Sequence, residues 1–141
     1  FRLNRIFSKN KFFGKYNYTY LDENLQSSVD AVSGACMMFE KKIFNKLNGF
    51  DEIFFLYFEE TDFCFRLKGL GLKVLYCPES QIIHYNNYHE NYRIKNFYFY
   101  DSLEKFIYKH KDQIYLGLLV YYFAKLIKNI FYLKRRLVDI K

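Results

Sequence analysis

The chain has 141 residues and is rich in rings, with 17 Phe and 15 Tyr but no Trp, enough for one domain with a sizeable core. Its net charge of +7 is uneven: five basic and no acidic side chains in 1–20, eight against eleven in 21–96, nine against four in 97–141. An acidic middle between basic ends suits a polyanionic surface as partner, yet the basic residues form no continuous stripe and no zinc-finger, helix-turn-helix or RNA-recognition signature occurs, which excludes nucleic acid as the expected partner.

Cys36, Cys64 and Cys77 are odd in number, lack C-x-x-C spacing and sit among apolar neighbours. Buried free thiols in a reducing compartment are expected, not a metal site or a disulfide framework. The first residues carry neither a signal peptide nor an initiator Met, so we expect an excised or truncated segment.

Residues 1–28 read as a basic connecting arm, packed on the domain through Tyr and Phe or facing a membrane. Val29 to Phe39 reads as a buried strand broken at Ser33-Gly34, where glycine marks either simple packing or close approach of a ligand. Lys41 to Leu47 is a short helix with Ile43, Phe44 and Leu47 on one face, ended by Asn48-Gly49. Phe50 packs down behind it, and Asp51-Glu52 faces solvent or a site.

An aromatic wall runs from Ile53 to Phe58 and stops at Glu59, Glu60 and Asp62. These acids open a helix over 59–68, in which Asp62 and Arg66 form an i,i+4 pair and Gly69 and Gly71 end the run. Acids in a first turn favour the helix dipole and are common without any function. Beside an aromatic wall they can instead have a pKa raised into a useful range. Position alone leaves both readings open.

Leu72 to Cys77 is a strand closed by Pro78, and Gln81 to His84 is a second extended piece. A helix of ten residues followed by a returning strand can bring His84 back toward Glu60. Residues 85–93 form a polar, aromatic loop suited to a lid. Residues 97–141 are helical in two pieces, about 98–110 and 113–136, with an apolar run from Ile114 to Ala124 and a Lys134-Arg135-Arg136 cluster. That run is too short for a membrane span, which leaves a packed terminal helix or a helix lying in an anionic interface.

Val32-Ser33-Gly34-Ala35, Gly49-Phe50-Asp51-Glu52, the run Phe54 to Leu67, then Gly71, Pro78 and His84 occur in an order and spacing that resembles the C-terminal, acceptor-side half of inverting family 2 glycosyltransferases of the rhamnosyltransferase-like branch. The resemblance covers about residues 29–90. It implies an α/β, partial GT-A-like fold (a mixed sheet in a nucleotide-diphospho-sugar transferase) with C-terminal amphipathic helices. The segments would be a connecting arm at 1–28, the acceptor-side half at 29–96 and a basic aromatic tail at 97–141, peripheral at the inner, cytoplasmic face of the cell membrane.

The same resemblance makes Glu60 the general base, with Glu59, Asp62, Gly34, Ala35 and Asp51 binding the acceptor and His84 a ligand of a divalent metal, Mn or Mg. It implies a nucleotide-sugar donor, a glycan or lipid-linked acceptor and an anionic membrane surface as partners, in cell-surface polysaccharide synthesis. One departure weighs heavily: no Asp-x-Asp occurs in the chain, so the metal and nucleotide site would be complete only with an absent N-terminal half. The rival expectation is a non-catalytic membrane- or partner-binding module derived from such an enzyme.

Overall fold

The computed structural model describes residues 18–85, 92–114 and 116–138, with side chains left out at 92, 93 and 131–138. Most of the connecting arm and residues 86–91 of the expected lid lie outside them. Among the described residues the elements are β1 (Ser27–Val29), α1 (Lys41–Lys46), α2 (Glu59–Gly69), β2 (Val74–Tyr76), α3 (Tyr92–Lys109) and α4 (Gly117–Val138). The fold is thus mostly helical, with one two-stranded antiparallel sheet.

The sheet pairs Ser27 with Tyr76, Ser28 with Leu75 and Val29 with Val74. Alternation along each strand turns Val29 and Val74 inward, where they bury Cys64 of α2. Tyr18 and Leu21 pack on this cluster, and the Tyr18 hydroxyl accepts a hydrogen bond from the Asp30 amide at 2.6 Å. Burial first, and Asp30 beside it, push the Tyr18 phenol up to about 12.

Helix α2 is the axis of the molecule, because each of its buried residues faces a different neighbour. Cys64 faces the sheet. Phe63 closes a cluster with Phe39, Phe44 and Phe50, its ring centroid 4.9 Å from that of Phe39. Asp62 and Phe65 face α3 and the residue beyond it, His110. Helix α3 in turn packs on α4, with Lys128 paired to Asp101 and Glu104.

The turn after α1 forms as its Asn-Gly pair requires. Leu47 is the C-cap, and Asn48 and Gly49 take φ values of 57° and 72°. A Cβ on Gly49 would stand 3.1 Å from the Phe44 ring, so this glycine is needed for space as well as for φ.

Several expected elements are corrected. The buried strand from Val29 to Phe39 ends at Val29 itself; Ser33 to Cys36 form a turn, closed by the Cys36 amide on the Ser33 carbonyl at 3.4 Å, and Met38 is almost fully exposed. A β-forming sequence becomes a strand only where a partner offers a ladder, and β2 offers three residues. For the same reason Leu72 to Cys77 contracts to Val74–Tyr76, and Gln81 to His84 joins no strand. Helix α3 begins at Tyr92, earlier than expected and inside the stretch read as a loop, while α4 begins four residues late, at Gly117. Of the three thiols only Cys64 is buried; Cys36 lies on the Ser33 turn and Cys77 beyond the end of β2, both exposed.

Candidate functional site around the first turn of helix α2

The wall from Phe54 to Phe58 is held by α3. The Ser102 hydroxyl donates to the Leu56 carbonyl at 2.7 Å, and Lys105 Nζ donates to the Ile53 carbonyl at 3.1 Å. Phe58 lies against Phe99 and Phe106, and Phe55 against Tyr98. Residues 98, 99, 102, 105 and 106 recur at helical spacing, so one face of α3 receives the whole wall.

Tyr57 and Phe58 have φ values of 68° and 71°, two consecutive left-handed residues without being glycine. Such backbone costs on the order of 1–3 kcal/mol per residue and persists only where packing over-determines it. Phe58 is also the N-cap of α2 and offers no side-chain hydrogen bond. Three acids therefore stand at the positive end of an uncapped helix.

The three acids have separate surroundings. Asp62 is fully buried. Its Oδ2 accepts from Arg66 Nε at 2.7 Å, and its Oδ1 lies 2.7 Å from both Lys109 Nζ and His110 Nε2. Burial pushes this carboxyl up, but the hydrogen bonds from Lys109, His110 and Arg66 outweigh it and hold the group below the ordinary aspartate value. Arg66 also donates to the carbonyls of Leu47 at 2.5 Å and Gly49 at 2.8 Å, so one guanidinium ties the end of α1 to α2.

Glu60 is different. It is partly buried, and its carboxyl is raised, first by burial and then by the neighbouring charge of Glu59, against the lowering effect of a backbone hydrogen bond. Thr61 Oγ1 donates to its Oε1 at 3.4 Å. Glu59 lies beside it with Oε2 buried and without a hydrogen-bond partner among the described residues. The Ser33–Cys36 turn comes to this point: a Cβ on Gly34 would sit 3.6 Å from Glu60 Cβ.

The structure thus brings together Glu59, Glu60 and Gly34, with Ala35 exposed in the same turn, its amide on Ser33 Oγ. Asp51 joins the Asp62 network through Lys109, whose Nζ lies 2.7 Å from its Oδ2, while its Oδ1 accepts from the Ile53 amide. The hydrogen bond from Lys109, then that from the Ile53 amide, lower the Asp51 carboxyl. His84 is exposed. Among the described residues no group of three His, Cys, Asp or Glu side chains is placed to hold a metal ion, so these residues alone do not fit a divalent cation.

Ser102, Lys105, Lys109 and His110 were not anticipated as part of this arrangement. Their signal was available, since 102, 105, 109 and 110 fall on one face of a helix, but what that face meets is a long-range fact.

No family model matches the chain, and no solved structure does. Curated relatives do. The chain is 33% identical over 69 residues, 47% of its length, to the N-acetylglucosaminyl-diphospho-decaprenol L-rhamnosyltransferase of Mycobacterium tuberculosis. It is 38% identical over 63 residues to rhamnosyltransferase WbbL of Escherichia coli, and 34% identical over 56 residues to the low-salt glycan biosynthesis hexosyltransferase of Haloferax volcanii. The matches span only 22%, 24% and 18% of those relatives. Over 40–47% of its length, then, this chain is similar to rhamnosyl- and hexosyltransferases.

Proposed function

We propose that the chain is the acceptor-side part of an inverting glycosyltransferase with a partial GT-A-like fold, moving a sugar from a nucleotide donor to a glycan or lipid-linked acceptor in cell-surface polysaccharide synthesis. The observation that carries this reading is the split environment of the acids: Asp62 is consumed by internal partners, whereas Glu60 is partly buried, raised and beside the Gly34 turn. The similarity to rhamnosyltransferases, one named for a decaprenol-linked acceptor, supports the reaction class.

Glu60 accepts the proton of the acceptor hydroxyl as that oxygen forms its bond to the anomeric carbon. The bond from that carbon to the diphosphate oxygen breaks on the opposite face, and the nucleotide diphosphate leaves with the bonding pair. A carboxylate raised by burial is better matched to this task than an ordinary one, because a general base works best when its pKa approaches the working pH. Glu59 stands beside Glu60, whose carboxyl its charge helps to raise; Asp62 and Asp51 tie the first turn of α2 to α3 through Lys109; Gly34 and Ala35 form the turn beside Glu60 on the acceptor side.

A divalent cation with His84 among its ligands would require donors beyond the described residues. Transfer likewise requires a nucleotide-binding part, since the chain has no Asp-x-Asp and matches under a quarter of each relative. The chain alone should show no sugar-nucleotide turnover. Joined to such a part, it should transfer, and Glu60→Gln should lower the rate by about 10²–10⁴-fold with donor binding retained. Normal transfer by that variant removes the base assignment; turnover by the chain alone removes the requirement for a second part.

A further inference from the structure

Helix α4 turns its less apolar side to the protein. Among the described side chains, Gly117, Tyr121, Ala124, Ile127 and Lys128, spaced for one face, are its buried or partly buried positions. Ala124 is buried, and Lys128 is consumed by Asp101 and Glu104. The opposite face carries Leu119 at 66% exposure, Tyr122 at 64%, Phe123 at 63% and Leu126 at 58%, and Ile130 continues the line. Scattered exposed apolar residues need no explanation, but a contiguous helical stripe of this kind marks an interaction surface.

The charge on the helix selects the occupant. Its 22 residues contain no acid, and Lys125, Lys128, Lys134, Arg135 and Arg136 are its charged residues. Lys125 borders the stripe, over the Tyr121 ring. Leu, Phe and Tyr on one side with lysine at the border fit the boundary between acyl chains and anionic headgroups. Among the described residues no helix is long and apolar enough to cross a membrane, which leaves the in-plane orientation.

We infer that α4 docks in the surface of an anionic lipid bilayer, lying in its plane with Leu119, Tyr122, Phe123 and Leu126 inserted. This inference does not depend on the glycosyl-transfer reading. It gives the molecule a fixed attitude at a membrane, because α4 packs on α3 and α3 holds the turn that leads to Glu59 and Glu60.

The test is co-sedimentation of the 141-residue chain with vesicles of phosphatidylethanolamine and phosphatidylglycerol, and with phosphatidylcholine alone. We expect binding to the anionic vesicles, weakened about tenfold or more by combined Leu119→Ser, Phe123→Ser and Leu126→Ser, with unchanged circular dichroism. Equal partitioning of that variant, or equal binding to both lipids, overturns the inference. So does a chain that ignores vesicles but forms a dimer the variant abolishes, since the stripe would then be covered by a second copy.

Depth has its own readout. The chain has no native Trp, so Leu126→Trp gives a single tryptophan, excited apart from the tyrosines at the red edge. Its emission should shift to the blue on vesicles and be quenched by bromines high on the acyl chain. Stronger quenching from the bilayer centre overturns the in-plane placement.

Discussion

Asp62 Oδ1 lies 2.7 Å from His110 Nε2, joining the first turn of α2 to the residue just beyond α3 across 48 positions of sequence. The contact is buried at both ends, and Lys109 and Arg66 complete it, so no lone charge is left inside. Losing one partner of such a group exposes the others to the full cost of burial without compensation. The acid that a helix-dipole argument would regard as ordinary is therefore a tie between two helices.

Asp62→Asn should cost about 3 kcal/mol or more of stability, read from urea unfolding, because it leaves Arg66 and Lys109 facing a neutral amide. An unchanged midpoint would show that α2 and α3 are held by the aromatic contacts alone.

The pH dependence of stability should separate two acids. Asp62 is lowered in the fold, so its contribution is complete above the ordinary aspartate value of 3.8 and is lost as pH falls through its folded value. Glu60 is raised, so its ionisation costs stability as pH climbs from the ordinary 4.5 through its folded value. Glu60→Gln should thus stabilise the protein near pH 7 and have little effect in acid, whereas Asp62→Asn should flatten the acid limb. Unfolding free energies of both variants from acid to neutral pH check the signs.

Ser102→Ala removes the buried hydroxyl that meets the Leu56 carbonyl. It should cost about 1–2 kcal/mol and speed amide exchange in the 53–58 turn more than in the sheet. Uniform acceleration would show that Ser102 supports the fold as a whole instead of holding the wall.

Gly49→Ala should be destabilising by about 1–3 kcal/mol, since the new methyl meets Phe44 at a φ that alanine rarely adopts. Gly34→Ala, where the nearest atom is Glu60 Cβ at 3.6 Å, should leave stability within about 0.5 kcal/mol. Thermal unfolding of the two variants tests whether Gly49 is required by its backbone conformation and Gly34 is not.

Native-state thiol titration should count two fast cysteines, Cys36 and Cys77, and one that reacts only on unfolding, Cys64. Burial also raises the Cys64 thiol and suppresses its reactive thiolate. Fast reaction of Cys64 in the Cys36→Ser, Cys77→Ser variant would contradict the packing of β1 and β2 on α2.

Local physics made much of this legible in the sequence. The Asn48-Gly49 stop, helix α2, the Asp62–Arg66 pair and the two terminal helices follow from φ preferences and from i,i+4 spacing, which need only neighbours. The ordered motifs from Gly34 to His84 likewise led to rhamnosyltransferase-like proteins, and curated rhamnosyltransferases match. Strand formation was not legible, because a ladder depends on a partner, and Val29 to Phe39 finds one only at its start. Nor was the division of labour among the acids, since Lys109 and His110 lie more than 40 residues away and only packing brings them to Asp62. Three carboxylates following an aromatic wall at the start of a helix are plain from the order of residues. Which of them is consumed by buried cations, and which lies beside the Gly34 turn with a raised affinity for a proton, depends on packing, because burial and long-range charge set those energies.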